Sequence, residues 1–274
     1  MSTDSVAAPT APVILVYAVR ERAKAFARTA FPKRKAKTVV VKSRDEFNEA
    51  MRRELIDAVV IDVGGGGEEA WELLALGQDF PSAPFFALVQ SRTTDGPAIA
   101  RATQMGVADI LTEGIDEDAA RDLVGPFTYT TRFARALQEP PAALGLSSDI
   151  QKKTWAALIA HAGRPVTTKD LAQEIGITRE HLSRNFALGN GPNLKRVIDL
   201  VRLISAAELS KNPGYDVRDV AAVLGFASSS HLAVTTQRIA STRPASLAGL
   251  RAVDLVERFL QGRTRSRVAG TGSL

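Results

Sequence analysis

Short runs of β-branched and aliphatic residues alternate with amphipathic stretches from Pro12 to about Leu123. Residues 13–17, 38–41, 58–62, 85–89 and 109–111 read as five strands, and three of these are apolar at successive positions. Continuous apolar runs are what strands buried on both faces of a parallel sheet require, so the alternation predicts a flavodoxin-like, doubly wound five-stranded α/β sheet. From about residue 149 the period becomes helical. Residues 193–210 place Leu194, Val197, Ile198 and Val201 in one apolar set and Leu200, Leu203, Ile204 and Ala207 in a second, which predicts a long helix packed on two sides. Between the two regimes, residues 125–138 carry Phe127, Phe133, Ala134 and Leu137 on a further helical piece, followed by Glu139-Pro140-Pro141 and a linker of small residues to Ser148. The expected organisation is a disordered start over 1–12, an α/β domain over 13–124, a linker with a helical segment over 125–148, an all-α domain over 149–261 and a basic flexible tail over 262–274.

The helical half repeats itself. Asp170-Leu171-Ala172-Gln173-Glu174-Ile175-Gly176-Ile177 aligns with Asp219-Val220-Ala221-Ala222-Val223-Leu224-Gly225-Phe226 at an offset of 49 residues, and Glu180-His181-Leu182 aligns with Ser230-His231-Leu232 at an offset of 50. In each copy an apolar residue followed by Ala leaves room for a crossing helix, and the Gly ends the first helix in a left-handed conformation. Ile177 or Phe226 plugs the corner, and Thr178 or Ser228 caps the next helix. Each copy reads as a helix-turn-helix, with second helices over 178–188 and 228–240. The long helix between the copies spans roughly 25 Å at 1.5 Å per residue, a length suited to holding two corners near the ~34 Å that separates successive major-groove faces.

Composition narrows the function. The chain has 274 residues, enough for two cores, with 45% hydrophobic and 24% charged residues. It holds no cysteine, and no apolar run reaches the roughly 20 residues of a membrane span, so a cytoplasmic location is expected. Charge is unevenly divided. Residues 1–150 carry 17 Lys and Arg against 21 Asp and Glu, whereas residues 151–274 carry 18 against 9. The basic half fits a polyanionic partner. His161, His181 and His231 lack the spacing of a zinc cluster, and residues 64–67, all Gly, lack the Gly-Lys-Ser/Thr continuation of a nucleotide loop. No catalytic residue set, metal site or cofactor is expected.

The motif Leu171-Ala172…Gly176-Ile177, then Leu182-Ser183-Arg184-Asn185-Phe186, Gly191, Arg202-Leu203, Ala206, Val220-Ala221…Gly225-Phe226, Ser228-Ser229-Ser230-His231-Leu232 and Pro244, resembles the AraC/XylS-type transcriptional regulators over residues 167–250. The resemblance implies seven helices, the first over about 149–161 and the last beginning near Pro244, and a regulator of bacterial type that binds double-stranded promoter DNA, with RNA polymerase or a regulatory protein as a further contact. It places base-reading positions at Arg179, Glu180, Ser183 and Arg184 in the first unit and at Ser229, Ser230, Ala233 and Val234 in the second. Arg184 suits a bidentate contact with guanine, whereas Arg179, Gln237 and Arg238 suit phosphates. The second unit departs from the family pattern at Thr236-Gln237, where an aromatic and a basic residue are usual, and at Ser241, where Gly is usual.

The amino-terminal half resembles the receiver domain of response regulators over about 110 residues, with Asp62 at the end of the third strand in the place of the phosphoacceptor. The acidic pair that would hold Mg²⁺ is replaced by Ala18-Val19-Arg20-Glu21, with only Glu21 to offer, and Glu113-Gly114 stand where Lys-Pro is expected. Two readings follow. The preferred one is a pseudo-receiver that acts through dimerisation, as a homodimer, or through protein docking; the alternative is a response regulator switched by phosphorylation at Asp62.

Overall fold

The computed structural model describes residues 11–90, 92–188 and 192–268. Residues 1–10 of the expected disordered start, Gly191 of the motif and residues 269–274 of the expected tail lie outside the described residues. Contacts divide the chain into two units, residues 11–132 with Asn212–Tyr215 and residues 133–211 with 216–268.

In the α/β unit the elements run β1 (Val13–Tyr17), α1 (Glu21–Ala30), β2 (Lys37–Val41), α2 (Arg44–Arg53), β3 (Ala58–Asp62), α3 (Gly67–Ala75), β4 (Phe85–Gln90), α4 (Gly96–Gln104), β5 (Asp109–Glu113) and α5 (Ala120–Val124). All four strand pairings are parallel and the order is β2-β1-β3-β4-β5. This is the flavodoxin-like order, with its switch point between β1 and β3. Alternation along β1 sends Ile14 and Val16 to the face covered by α1 and α5, where Phe26, Ala27 and Val124 are buried. Leu15 and Tyr17 point to the face covered by α2, α3 and α4, against Phe47, Leu73 and Ala102. A further helix, α6 (Tyr129–Ala136), falls within residues 125–138, where a helical piece was expected. Its first turn is held by buried Asp57, whose Oδ1 accepts the Thr130 backbone N–H at 2.9 Å and its hydroxyl at 2.5 Å.

The second unit continues with α7 (Asp149–Ala160), α8 (Thr168–Glu174), α9 (Arg179–Phe186), α10 (Leu194–Leu209), α11 (Val217–Val223), α12 (Ser229–Ala240) and α13 (Ala252–Val268). Its core gathers Trp155 and Leu158 from α7, Leu171 and Leu182 from the first corner, Leu200, Leu203 and Ile204 from α10, Val220 and Leu232 from the second, and Leu255 and Phe259 from α13. Two expectations are corrected at its end. The final α-helix begins at Ala252, because Pro244 opens a 3₁₀ turn over Pro244–Gly249 and Leu250 is extended before the helix starts. The segment from Gly262, expected to be a flexible tail, stays helical to Val268.

Candidate nucleic-acid interface

Both corners are built from local capping chemistry. Thr167 and Asp216 start α8 and α11 with reciprocal capping boxes to Asp170 and Asp219. Each helix then ends in a left-handed glycine, Gly176 at φ +74° and Gly225 at φ +64°. The Ile177 N–H donates to the Ala172 carbonyl at 2.9 Å and the Phe226 N–H to the Ala221 carbonyl at 2.8 Å, the wide bond of a Schellman end. Thr178 and Ser228 accept the His181 and His231 N–H groups and cap α9 and α12. Leu182 and Phe186 on α9, and Leu232, Thr235, Thr236 and Ile239 on α12, are buried.

This burial sorts the remaining positions. On α9, Arg179, Glu180, Ser183 and Arg184 are exposed. On α12, Ser230, Val234, Gln237 and Arg238 are exposed, and Ser229 and Ala233 are half-buried. Each set lies on the open side of its helix. Arg238 is already engaged, its Nη2 2.8 Å from Asp199 Oδ2 on α10. Val234, an apolar side chain, leaves 65% of its surface in solvent. Thr236 is fully buried and its hydroxyl donates to the Leu232 carbonyl at 2.8 Å, so a larger aromatic at this position would need a differently shaped core.

Two residues anchor the corners in ways the sequence did not indicate, although Arg202 stands in the AraC/XylS-like motif and Gln151 does not. Gln151 of α7, buried, donates from Nε2 to the Phe186 carbonyl at 3.0 Å and to the Leu188 carbonyl at 3.4 Å, satisfying the end of α9. Arg202 of α10 donates from Nε at 3.1 Å and Nη2 at 2.7 Å to the Leu224 carbonyl, at the end of α11. Its guanidinium carbon lies 3.7 Å from the centre of the Phe226 ring, and burial pulls its pKa below the ordinary arginine value.

The α/β unit has its own cluster of charges at the carboxyl end of the strands. Arg20, just after β1, binds Asp62 through Nε at 3.0 Å and Nη2 at 2.5 Å, and the same Nη2 lies 2.8 Å from Glu113 Oε2. Arg22 Nε closes on Glu113 Oε1 at 2.8 Å. Asp62 and Glu113 are both buried. Burial is the largest influence on Asp62 and, with Glu113 nearby, holds its carboxyl above the ordinary aspartate value despite the opposing hydrogen bonds from Arg20. Glu21 faces away, exposed, and pairs with Lys24 at 2.7 Å. Part of the glycine run is closely approached: a Cβ on Gly65 would fall 2.1 Å from Arg20 Cδ and one on Gly66 2.7 Å from the Tyr17 ring, whereas Gly67 stands in open space. Gly64 and Gly65 therefore admit Arg20 across the site. Among the described residues no group of three His, Asp or Glu could hold a metal ion, and no helix is long and apolar enough to cross a membrane.

No curated protein matches the chain. Among solved structures it is similar to a response regulator from Thermotoga maritima, at 21% identity, covering 42% of this chain and 99% of that one with a TM-score of 0.37. A response regulator protein from Burkholderia pseudomallei, determined with a phosphorylated aspartic acid, matches at 17% identity over 64% of this chain and 99% of that one, TM-score 0.35. Full-length FixJ from B. japonicum matches at 16% identity over 83% and 97%, TM-score 0.38. The model of a family described as a helix-turn-helix domain matches residues 171–248, which span both corners and α10. The carboxyl-terminal part of the chain is thus a helix-turn-helix domain of the AraC type, fused to an α/β domain with the strand order of a receiver.

Proposed function

We propose that the chain is a sequence-specific transcriptional regulator that docks α9 and α12 on double-stranded DNA and is governed by protein contacts of a receiver-like domain that is not phosphorylated. The observation that carries the DNA-binding part is the exposure of Arg179, Ser183 and Arg184 on one capped helix and of Ser230, Val234 and Gln237 on its repeat, within the region matched by the helix-turn-helix family. Arg184 reads guanine through its forked donors, Val234 offers contact to a thymine methyl, and Arg179 and Gln237 hold phosphates. Homodimers and contacts with RNA polymerase fit this role. No catalysis is proposed.

The absence of phosphorylation rests on Arg20. Phosphoryl transfer to an aspartate needs a cation that can meet the three phosphoryl oxygens, and room for it. Here the carboxylate of Asp62 is already bound on both oxygens by Arg20, and an acid, Glu113, occupies the end of β5 where a lysine would assist. The charges of the two flanking positions are exchanged relative to a working receiver.

Each part has its own experiment. Fluorescence anisotropy on promoter fragments at several salt concentrations is expected to give binding at least about 10³-fold tighter than to random duplex; equal affinity for all sequences removes the regulatory reading. Incubation with Mg²⁺ and acetyl phosphate is expected to leave the intact mass unchanged. A gain of one phosphoryl group that disappears in Asp62→Asn establishes the phosphorylation-switched alternative instead.

A further inference from the structure

The two edges of the sheet carry opposite charge. Residues 20–42, spanning α1 and edge strand β2, hold nine Lys and Arg against the single acid Glu21. Residues 109–122, spanning edge strand β5 and the turn into α5, hold six Asp and Glu against the single base Arg121. Some of these charges are used internally: Arg20, Arg22 and Glu113 in the buried cluster, Lys24 with Glu21, and Lys37 with Glu54. Arg28 also lies 3.6 Å from Glu21 and Asp122 3.8 Å from Arg121, while Asp116 and Glu117 are half-buried and accept the Thr112 and Gly114 N–H groups. Lys33, Arg34 and Lys35 follow one another in the turn before β2 and take part in no ion pair among the described residues, and Lys42 leaves the other end of that strand. On the opposite edge, Asp109 opens β5, and Asp118 and Asp122 lie exposed beyond its carboxyl end.

Because the strands are parallel, the openings of β2 and β5 lie at the same end of the sheet and their exits at the other. Cations and anions therefore match at both ends when one edge is set beside the other in the same direction. They cannot neutralise each other within one copy. Four strand spacings of about 4.8 Å put the edges roughly 19 Å apart, beyond the Debye length of about 8–10 Å in physiological salt. Apolar side chains accompany each patch, Val40 on β2 and Val19 beside it, and Ile115, Leu123 and Phe127 near β5, all of them exposed. Exposed ion pairs contribute little alone, but they select register and orientation for a contact that also buries apolar surface.

We infer that the α/β domain associates head to tail, the basic β2 edge of one copy against the acidic β5 edge of a second copy of this chain. A two-fold pairing through either edge would set like charge on like and is disfavoured. A heterologous contact leaves one free edge at each end, so association continues beyond the dimer as concentration rises. The inference concerns the α/β unit and is read without DNA, so it stands or falls separately from the DNA-binding proposal.

Sedimentation velocity of the full chain, across a range of concentrations at low and high salt, tests it. The expected result is a weight-average mass that climbs past that of a dimer with concentration and returns towards the monomer in high salt. The triple variant Lys33→Glu, Arg34→Glu, Lys35→Glu and the triple variant Asp109→Lys, Asp118→Lys, Asp122→Lys each weaken self-association by about tenfold or more, and an equimolar mixture of the two restores it, since each then presents the edge the other lacks. Circular dichroism melts of both variants confirm that these exposed substitutions leave the fold intact. A chain that stays monomeric throughout, a dimer insensitive to salt, or a mixture that associates no better than its components overturns the inference.

Discussion

In the first corner Gly176 sits in open space, with nothing within 4 Å of where a Cβ would lie, whereas in the second a Cβ on Gly225 would fall 2.5 Å from Pro165 Cγ. The plugs differ in the same sense: Ile177 is half-buried and Phe226 is buried beneath the Arg202 guanidinium. The first unit is tied by Gln151 at the end of its second helix, α9; the second is tied by Arg202 at the corner itself, before α12 begins. One sequence pattern has thus been stabilised in two ways. Where the corner glycine stands in open space, the second helix is held at its far end and exposes Arg179, Glu180, Ser183 and Arg184; where the corner is clamped, the second helix exposes Ser230 and Val234 along with Gln237 and Arg238.

The largest effect expected from this contrast is at the glycines. Gly225→Ala combines a left-handed backbone penalty of about 1–2 kcal/mol with an overpacking cost of about 1–3 kcal/mol, because the clash is with a proline ring that has little freedom to move. Gly176→Ala incurs only the first. Urea unfolding followed by Trp155 fluorescence, in a Trp71→Phe background so that the signal comes from the helical unit, should rank the two; equal losses would show that the Pro165 contact relaxes at no cost and that the corners are alike.

Arg202→Met comes next. It keeps the apolar stem but leaves the Leu224 carbonyl without its donors and removes the cation from the Phe226 ring, for a loss of about 2–3 kcal/mol. Hydrogen exchange locates the damage: protection should fall over Val217–Val223 and Ser229–Ala240 and hold over Thr168–Glu174 and Arg179–Phe186. Uniform loss across both units would mean that α10, not the corner, depends on Arg202.

On DNA the contrast reverses. Arg184→Ala should cost about 1–3 kcal/mol of operator affinity and relax preference at one base pair, whereas Val234→Ala, losing two methyl contacts, should cost less than about 1 kcal/mol. Anisotropy titrations on an operator and its single-base variants read both. If Arg184→Ala weakens all sequences equally it is a phosphate contact, and if Val234→Ala costs as much as Arg184→Ala the specificity is shared evenly between the units.

The caps Thr178 and Ser228, both corners and all five strands were legible because they are written in local chemistry: a Thr or Ser before an apolar period, a Gly after one, a run of Val and Ile. Helix α10 was expected over 193–210 and is bounded by its caps Asn193 and Ser210 for the same reason. The contacts of the anchors were not legible, even though Arg202 itself stands in the motif. Gln151 reaches Phe186 across 35 residues and Arg202 reaches Leu224 across 22, and no periodicity marks such a pair. Arg20 lay between these cases. The missing acidic pair and the acid at Glu113 were each visible as departures from a receiver, but only the sheet, by placing the ends of β1, β3 and β5 together, makes them one exchanged set of charges around Asp62. The last helix was misplaced because Pro244 is as suitable for opening a 3₁₀ turn as an α-helix, and the choice depends on Leu250 being extended.

The smallest predicted effect is a gain. Ser241 ends α12 with φ +50° and ψ +39°, a left-handed conformation that a side chain disfavours, and its N–H donates to the Gln237 carbonyl at 3.0 Å. The first unit has no such strain, since Ala187 ends α9 in the right-handed region. Glycine at position 241 would relieve about 1–2 kcal/mol while giving back roughly 0.5–1 kcal/mol in unfolded-chain entropy, so Ser241→Gly should stabilise the helical unit by about 0.5–1 kcal/mol in the Trp155 assay. The hydrogen bond to Gln237 is made by the backbone and survives the change. A neutral or lower stability would show that the serine hydroxyl contributes to the end of α12. The predicted gain would instead mean that the second unit retains strain at the exit of α12 even though Arg202 clamps its entrance.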